Sequence, residues 1–510
     1  MPETEPTRSL GPVSKEAENY VVESEDVFDS SVFDPVLARK LSLINTAIDK
    51  IGMTPFQWKL FFLNGFGYTV DSLLVICQSI AMPAVTMQYG SPDKRLKGIA
   101  LASQIGLLAG AAIWGLSADI IGRRLAFNSS LMLAAVFTII AGGMPGYISF
   151  ATMVSLYSAA VGGNYILDSV TLLEFLPANK SWLVTFMSIW WAVGYTITGL
   201  LAWAFMSNYS CSSAAACAYQ DNMGWRYLHF TIGGVTLLLS LLRVLLIRIV
   251  QTPRWLVSQN RDEEIILFLT NLSIKYDRQF DLTLEDLRSE GDVKNTEQSV
   301  WSTVRIKAHF SGLFRTKQLT WSFLVIMLNW FVIGVVSPLY HVFLPYYLKS
   351  QGAKVSSSSN YLVWRNYAIN QVVGLVGPVI AGVLVETKLF GRRGTMALGA
   401  LLTMVLQFAY TQIKTPAQNV GVSAAISAAT NIYYGTMYAY TPEILPSAHR
   451  ATGYAICVVF NRIGGIVGVI VGSYANVETT TPLFVCAALF ALLIILSVLL
   501  PFESRGKRTQ

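Results

Sequence analysis

Runs of about 20 apolar residues recur along nearly the whole of this 510-residue chain, and they restrict its fold more than any other feature. A helical run of this length matches the hydrocarbon thickness of a bilayer. Backbone polar groups inside lipid must be satisfied within the segment, so such runs predict membrane-spanning helices. Hydrophobic residues make up 53% of the chain and charged residues 13%, against about 25% charged residues in a soluble domain. We therefore expect an all-α membrane protein.

Twelve such runs can be delimited, and a polar segment between the sixth and seventh divides them into two sets of six. They lie at roughly 60–83, 98–118, 124–144, 147–172, 183–206, 227–250, 320–346, 360–385, 395–413, 418–441, 452–473 and 482–500. Six spans, a linker and six more spans are typical of a secondary transporter. We predict twelve transmembrane helices in two six-helix bundles: an N-terminal tail at 1–55, the bundles at 56–250 and 319–500, a linker at 251–318, and a C-terminal tail at 501–510.

The polar segments predict how the chain lies in the membrane. The acid-rich N-terminus lacks the apolar core of a signal peptide, and helical spacing over 35–51 favours a helix on the membrane face. The net charge of +7 is carried mainly outside the apolar runs, and the basic linker favours both termini and the linker in the cytosol. We expect a monomer in the plasma membrane rather than in a vacuolar or other internal membrane, with the lipid bilayer as its environment. No basic face alternates with aromatic residues, so nucleic acid is not an expected partner.

A short motif occurs twice, once after the second run and once after the eighth. In each copy an acid lies four residues after a glycine and is followed by Gly-Arg-Arg. The copies are Gly115, Asp119, Gly122, Arg123 and Arg124, and Gly382, Glu386, Gly391, Arg392 and Arg393. Equivalent positions in both halves indicate duplication. The second copy has two extra residues before its Gly-Arg-Arg. The Gly-Asp-Gly frame of the first copy favours a charge cluster that locks one side of the molecule, because a simple positive flank needs only the arginines.

Two carboxylates, Asp71 and Asp168, lie within apolar runs. An aspartate at the centre of a spanning helix costs about 2.5–3.5 kcal/mol, and such residues mark ion or substrate pathways. Polar residues also hold helices together without a transport role. For these two acids we favour a role in carrying a proton or orienting substrate, and which of them takes the proton is open.

Polar residues at helical spacing mark four runs: the first, fourth, seventh and tenth. The stripes are Asn64, Tyr68, Asp71 and Gln78; Asn164, Asp168 and Thr171; Trp330, Gly334, Ser337 and His341; and Asn431, Tyr434, Tyr438 and Thr441. These runs lead the four consecutive triplets of spans, so they could together line one central cavity. For His341 an ordinary hydrogen-bonded role is favoured over proton transfer. Arg365, which opens the eighth run, is equally consistent with binding an anionic substrate and with anchoring at the interface.

The cysteines do not indicate a disulfide scaffold, a metal site or a catalytic site. Cys211 and Cys217 flank a short loop and could pair on an oxidising side. The sequon that begins at Asn208 could be glycosylated there. No metal-ligand cluster, nucleophile triad or phosphate-binding loop is present in the sequence, so neither a cofactor nor an enzyme activity is predicted.

At these motifs the chain resembles the major facilitator superfamily. The 115–124 segment is similar to the signature loop between spans two and three, and 252–256, 440–446 and 501–507 resemble other elements of its sugar and organic-ion carriers. The segments 51–71 and 162–177 resemble the synaptic-vesicle-glycoprotein and niacin-permease branch, including its fungal members. The resemblance implies functional acids at Asp71 and Asp168. It also implies gate residues at Glu174, Glu443, Arg450 and Arg462, although the arginine usual after Glu-Phe-Leu-Pro is absent and Lys180 is the nearest substitute.

The leading hypothesis is proton-coupled transport of a small organic solute, such as an organic acid or nicotinate-like anion, by alternating access. The first alternative is efflux of a drug or metabolite by proton antiport. The fifth run lacks the Gly-Pro motif typical of antiporters, whereas Gly377-Pro378 lies in the eighth. The second alternative is a sensor with a carrier fold that does not transport.

Overall fold

A computed structural model describes residues 35–93, 96–121, 123–211, 217, 219–246, 251–293, 313–314, 316–342, 359–445, 450–475 and 481–504. Helices account for most of this part of the chain, and no strand occurs in it. The prediction of an all-α protein is confirmed.

The helices are numbered in chain order. Before the linker lie α1 (Pro35–Ile51), α2 (Pro55–Tyr89), α3 (Gly98–Ile121), α4 (Arg123–Gly142), α5 (Tyr147–Val161), α6 (Asn164–Phe175), α7 (Trp182–Phe186), α8 (Ile189–Met206) and α9 (Gly224–Leu246). The linker contains α10 (Pro253–Ser258), α11 (Asp262–Tyr276) and α12 (Leu284–Ser289). After it lie α13 (Lys317–Ser337), which continues into a π-helical turn at Pro338–Val342, α14 (Asn360–Gly374), α15 (Val376–Leu384), α16 (Gly391–Tyr410), α17 (Pro416–Ile444), α18 (Arg450–Tyr474) and α19 (Thr481–Val498).

Within the described residues, each of the twelve predicted runs coincides with a helix or with two helices separated by a short break. Seven helical segments in the described part of the chain are long and apolar enough to cross a membrane, and three shorter helices are also apolar. The chain is therefore a multi-pass membrane protein, while the number twelve stays a prediction.

Local sequence explains where several helices begin. Thr54 precedes Pro55 and caps α2, and Gln57 completes the capping box because its Oε1 accepts a hydrogen bond from the Thr54 backbone N–H at 2.9 Å. The same Thr-Pro-x-Gln pattern starts α17 at Thr415. Proline is well placed in the first turn of a helix, where a backbone N–H has no helical partner.

Glycines set the closest helix contacts in both halves. Added Cβ atoms at Gly106 and Gly110 on α3 would collide with the backbone of Ser155 and Ala159 on α5. On the other side of the molecule, Gly464 of α18 lies in the same way against α13. Small residues four apart let helix backbones approach within van der Waals distance, which is a major source of packing energy in lipid.

The helices form two groups, and a few pairs join them. In the first half α3 packs on α5, and α9 packs on α4 and α2; in the second half α13 packs on α18, and α16 packs on α17 and α19. Contacts between the halves run chiefly through α8 with α14, α3 with α18, and α7 with α15 and α17. The space between the halves is therefore bounded by helices from both.

A second hydrophobic core lies outside these two groups, between α1 and the linker helices. It contains Leu41, Ile44 and Ile48 of α1 together with Leu269 of α11 and Leu287 of α12, all buried. An aromatic triangle joins this core to the spanning helices: the Phe268 ring lies 5.4 Å from the Phe56 ring and 5.6 Å from the Phe175 ring. The expected helix at 35–51 is present, and its apolar face is covered by the linker.

This second core contains a buried ion pair. The Nζ of Lys40 donates to Oδ2 of Asp262 at 2.5 Å, and both side chains are almost fully buried. Lys50 pairs with Asp281 at the surface of the same unit. The charges thus fix the register of α1 against the linker.

The structure joins Cys211 and Cys217 by a disulfide, with Cα atoms 5.5 Å apart. Asn208 is nearby, and its side-chain amide donates to the Ala204 carbonyl at 2.9 Å. Glycosylation of Asn208 stays a prediction.

The Lys40–Asp262 pair generates a stability prediction. Asp262→Asn leaves the Lys40 ammonium buried without its counter-charge, so we expect α1 to detach from the linker with a loss of about 3–5 kcal/mol. Limited proteolysis of the 251–293 segment in membranes measures this, because cleavage follows the population of the opened form. Glu263→Gln is the matched control, since it removes only the exposed pair with Arg288. Equal proteolysis of the two variants would contradict the prediction.

Candidate functional site

A cavity lies between the two halves of the molecule. Residues of α2, α3 and α8 form one wall, and residues of α13, α17 and α18 form the other. The lining residues are Val75, Gln104, Trp191, Tyr195, Gly334, Ser337, Pro338, Asn431, Tyr434, Tyr438, Asn461, Arg462 and Gly465. Because both halves contribute, a molecule bound here would contact both of them at once.

Aromatic rings make up much of the lining. The Tyr434 and Tyr438 rings stack with centroids 5.7 Å apart, and the Trp191 ring lies 6.0 Å from Tyr438. Tyr68, one of the predicted stripe residues, packs edge-on against Tyr438 and Trp191, each at 6.4 Å. Flat aromatic faces of this kind accommodate planar or apolar groups and orient them.

The polar lining is mainly neutral. Amide side chains come from Gln104, Asn431 and Asn461, and among the described lining residues Arg462 is the one with a formal charge. Asn461 also donates from Nδ2 to the Trp330 carbonyl at 3.0 Å, which fixes the helix turn that bears Arg462. A guanidinium surrounded by amides and rings favours an anionic ligand group.

Asp71 lies outside the described cavity lining, within a buried polar network of the first half. The Asn164 side chain donates from Nδ2 to Oδ1 of Asp71 at 3.3 Å, and its Oδ1 accepts from Ser130 Oγ at 2.7 Å. Asn64 donates to the Asp168 backbone carbonyl at 3.0 Å. The predicted residues of the first and fourth runs are thus brought together.

Asp168 forms a buried ion pair that the sequence reading did not identify. Its Oδ1 accepts from Nη2 of Arg243 on α9 at 2.8 Å, and both side chains are buried. A signal for the partner was present, since Arg243 is a cation within the apolar sixth run and a charge there favours a counter-charge. The sequence reading treated Asp168 as facing the cavity, whereas it does not appear among the described lining residues.

Gly67 on α2 makes room for this ion pair. A Cβ at this position would collide with Oδ2 of Asp168 and lie 3.1 Å from Nη1 of Arg243. The pair therefore packs directly against the α2 backbone, and α2, α6 and α9 meet at one point.

Arg392 is the centre of a second charged cluster, at one end of the molecule. We call this the linker end, because Phe175 there contacts linker residue Phe268. Its Nε and Nη2 donate to Oε2 and Oε1 of Glu443 at 3.0 and 3.1 Å, and its Nη1 donates to Oε1 of Glu386 at 3.2 Å. Arg392 also donates to Ser181 Oγ at 3.0 Å. Ser181 belongs to the first half, so this bond joins the halves.

The C-terminal segment completes the cluster. Glu503 accepts from the backbone N–H groups of Arg392 and Arg393 at 2.7 and 3.1 Å. Ser504 donates to Glu443 Oε2 at 2.5 Å. The predicted gate residues Glu386, Arg392, Arg393 and Glu443 therefore lie at one place.

Contacts also join the halves on the other side of the cavity. The Lys97 backbone N–H donates to Ser473 Oγ at 3.0 Å, and Asn360 Nδ2 donates to the Ser210 carbonyl at 3.5 Å. Thr196 donates to the Gln371 carbonyl at 3.0 Å. The cavity thus lies between two sets of contacts that bridge the halves.

The other predicted residues are distributed differently. Arg365 bonds its neighbour Asn366 at 3.2 Å and does not appear in the described lining. Glu174 is half-buried at the end of α6, Arg450 is buried at the start of α18, and Arg462 lies in the cavity wall. Gly122 lies outside the described residues, and the side chains at 115–127, with Asp119, Arg123 and Arg124, and that of His341 are not described either. Sequence reading also missed Trp191, Tyr195 and Gln104, which no periodic stripe distinguished.

Two helical halves that share a cavity are the architecture of a secondary carrier, and the relatives of this chain are transporters of the major facilitator superfamily. The family model described as "Sugar (and other) transporter" matches residues 47–507, and the chain belongs to that family.

Named relatives cover almost the full chain. The chain is 37% identical to "MFS siderochrome iron transporter 1" of Ceriporiopsis subvermispora, over 94% of each protein. It is 35% identical to "Major facilitator-type transporter hxnZ" of Emericella nidulans, over 95% of this chain and 90% of that protein. Among solved structures, the proton:xylose symporter XylE bound to 6-bromo-6-deoxy-D-glucose superposes with a TM-score of 0.63 at 17% identity, covering 89% of this chain and 98% of that one. The fold is shared, and enzyme function is excluded by the family.

Gly67 generates a prediction about the Asp168–Arg243 pair. Gly67→Ala forces the carboxylate away from α2, so we expect the variant to lose about 1–3 kcal/mol of stability. The midpoint of thermal unfolding of the purified protein in detergent should fall accordingly. Gly234→Ala is the matched control, because a Cβ there meets nothing within 4 Å and alanine favours helix. An unchanged midpoint for Gly67→Ala would show that the pair does not need this close approach.

Proposed function

We propose that this protein is a secondary transporter that moves a small organic anion across the membrane by alternating access, coupled to protons. The observation that supports it most is the central cavity, which both halves line. Among its described lining residues, Arg462 is the one with a formal charge. Membership of the transporter family makes the cavity the natural substrate site.

The chemistry of the lining supports an anion with a flat body. A guanidinium binds a carboxylate through two parallel hydrogen bonds, and the amides of Gln104, Asn431 and Asn461 can take further polar groups. The Tyr434 and Tyr438 faces and Trp191 suit a planar ring or short apolar chain. An organic acid of nicotinate-like size satisfies these requirements. The names of the relatives refer to different cargoes, siderochrome iron and xylose, so the cavity is the stronger guide.

Substrate class is tested by uptake of a metabolite panel into vesicles containing the purified protein, with and without a proton gradient. We expect carboxylates to be taken up and their amides to be excluded. Impaired growth of a deletion strain on toxic compounds would instead support efflux, and binding without movement in liposomes would support sensing.

Arg462 generates a prediction for the same assay. Arg462→Gln removes the charge that holds the anion, and a charge-assisted hydrogen bond is worth about 1.5–3 kcal/mol, so the apparent KM for the anion should rise about 10- to 150-fold. Arg365→Gln is the control, because Arg365 donates to its neighbour Asn366 and does not appear in the described lining. If both variants transport like the wild type, Arg462 does not bind substrate.

Proton coupling is supported by the two buried acids. Asp71 and Asp168 belong to a connected network of α2, α4, α6 and α9. The charged and the protonated form of a carboxylate differ greatly in free energy at this depth. Protonation of Asp168 would release Arg243 from its ion pair, which changes the contacts between α6 and α9. Such a change of contacts is what couples a proton to a movement of helices.

The coupling prediction concerns net uptake. Asp168→Asn and Asp71→Asn should abolish uptake driven by a pH gradient, while exchange of labelled for unlabelled substrate, which needs no net proton movement, should persist. Asp286→Asn is the control, because Asp286 is an exposed linker residue that caps α12. Full gradient-driven uptake by both buried variants would show that neither acid carries the proton.

Alternating access requires the two sets of inter-half contacts to open in turn. We assign the linker end, with Arg392 and Ser181, to the cytosol, and the end with Asn360 and Ser210 to the opposite side. In this arrangement twelve spans form two six-helix bundles, both tails are cytosolic, and Cys211–Cys217 and Asn208 face outward. The protein acts as a monomer in the plasma membrane.

A further inference from the structure

The turn that supplies Ser181 to the inter-half contact is held by residues that lie before the first span. Asp49, near the C-terminal end of α1, accepts a hydrogen bond at Oδ1 from the Ala178 backbone N–H at 2.7 Å. Ala178 begins the short 3₁₀ turn Ala178–Lys180, and Ser181 follows directly. Ser181, which Arg392 contacts, therefore lies only three residues after Ala178, whose N–H Asp49 binds.

The start of α2 holds the other side of the same turn. Gln57 is buried and donates from Nε2 to the Phe175 carbonyl at 3.4 Å, at the last residue of α6. The Phe56 ring packs edge-on against the Phe175 ring at 5.5 Å. The turn at 176–180 is thus fixed at its beginning by α2 and at Ala178 by α1.

The support of α1 is itself fixed. Lys40 and Asp262 bury an ion pair, and Leu41, Ile44 and Ile48 are covered by the linker helices. A side chain on so constrained a helix has little freedom to follow Ala178 if the turn moves. The helix α1 therefore serves as a rigid support for the turn.

We propose that Asp49 is a positioning residue of the transporter: through its bond to the Ala178 N–H it holds Ser181 where Arg392 of the other half can reach it, and so it favours the state closed at the linker end. This inference rests on the proposed alternating access. It assigns a role in transport to α1, which lies outside the spans.

The position of Ser181 decides whether the halves meet here. A hydrogen bond at 3.0 Å weakens steeply when the donor and acceptor are displaced, and a displacement of about 1 Å removes most of it. The adjoining helix α7 packs on α15 and α17 of the second half, so Ser181 begins a segment that borders the other half. Loss of the Asp49 bond should thus act on the closed state, not on the substrate cavity.

A conformational assay on the full chain tests this without knowledge of the substrate. The free cysteines Cys77, Cys457 and Cys486 are replaced by alanine, and Ser337→Cys places one reporter thiol in the cavity lining. A membrane-impermeant maleimide is applied from the linker side in inside-out vesicles. The labelling rate then reports the population open at that end.

Ser181→Ala removes the hydrogen bond from Arg392 to Ser181. Asp49→Ala removes the hydrogen bond from Ala178 that positions Ser181. We expect each to raise the labelling rate about two- to tenfold, the range for loss of one hydrogen bond. Because Asp49 acts through Ser181, the double variant should label no faster than Ser181→Ala. Independent residues would give the product of the two single effects.

Two matched variants exclude a general loosening of α1. Asp49→Asn keeps an oxygen that can accept from Ala178 and should label close to the wild-type rate. Lys50→Ala breaks the neighbouring pair with linker residue Asp281 and should also leave the rate unchanged. Unfolding temperatures of all variants should agree, which separates a change of conformation from a change of stability.

The outcomes separate the inference from the proposed function. Faster labelling of Ser181→Ala with an unchanged rate for Asp49→Ala overturns the role of Asp49 and leaves alternating access standing. Unchanged labelling for both variants overturns the inference and removes the Arg392–Ser181 contact from the proposed gate. If the labelling rate of the double variant rises by the product of the two single effects, Asp49 is not a positioning residue for Ser181.

Discussion

The buried ion pair between Asp168 and Arg243 is the interaction on which the first half of the molecule most depends. Each charge alone would be costly at this depth of an apolar bundle, and together they are tolerated only if they meet at hydrogen-bonding distance, as they do at 2.8 Å. Their meeting fixes α6 against α9, and it requires a glycine on α2 at position 67. One electrostatic requirement therefore determines the approach of three helices.

Three of the charged sites in the described molecule have different consequences. Asp168 and Arg243 neutralise each other inside the first half, whereas Arg392 gathers Glu386 and Glu443 at the linker end and reaches across to Ser181. Arg462 lies in the cavity wall. In the proposed transport cycle, the cation facing the shared cavity binds the anion, and the cation bridging the halves is a contact that breaks when they separate.

Sequence reading predicted the helical spans well because length and hydropathy alone decide which segments can cross a bilayer. It also identified Asp71 and Asp168 as unusual, since a carboxylate in an apolar run is costly whatever surrounds it. It did not pair Asp168 with Arg243, because the two lie 75 residues apart and the packing of α9 is what brings them together. Trp191 and Tyr195 were missed for a related reason: aromatic residues are common on lipid-facing and buried surfaces, and one sequence does not show which face meets the other half.

The separation of the acids from the cavity raises the question of how one could influence the other, and α2 gives a physical answer. Tyr68 and Asp71 lie three residues apart on this helix and Val75 four residues further, so they share one face. Tyr68 contacts the cavity rings Trp191 and Tyr438, Val75 is part of the lining, and Asp71 bonds Asn164 of the polar network. The Asp168–Arg243 pair packs against Gly67, one residue before Tyr68. A rotation or shift of α2 caused by a change of charge in the network would therefore move the aromatic wall of the cavity directly, without any intermediate element.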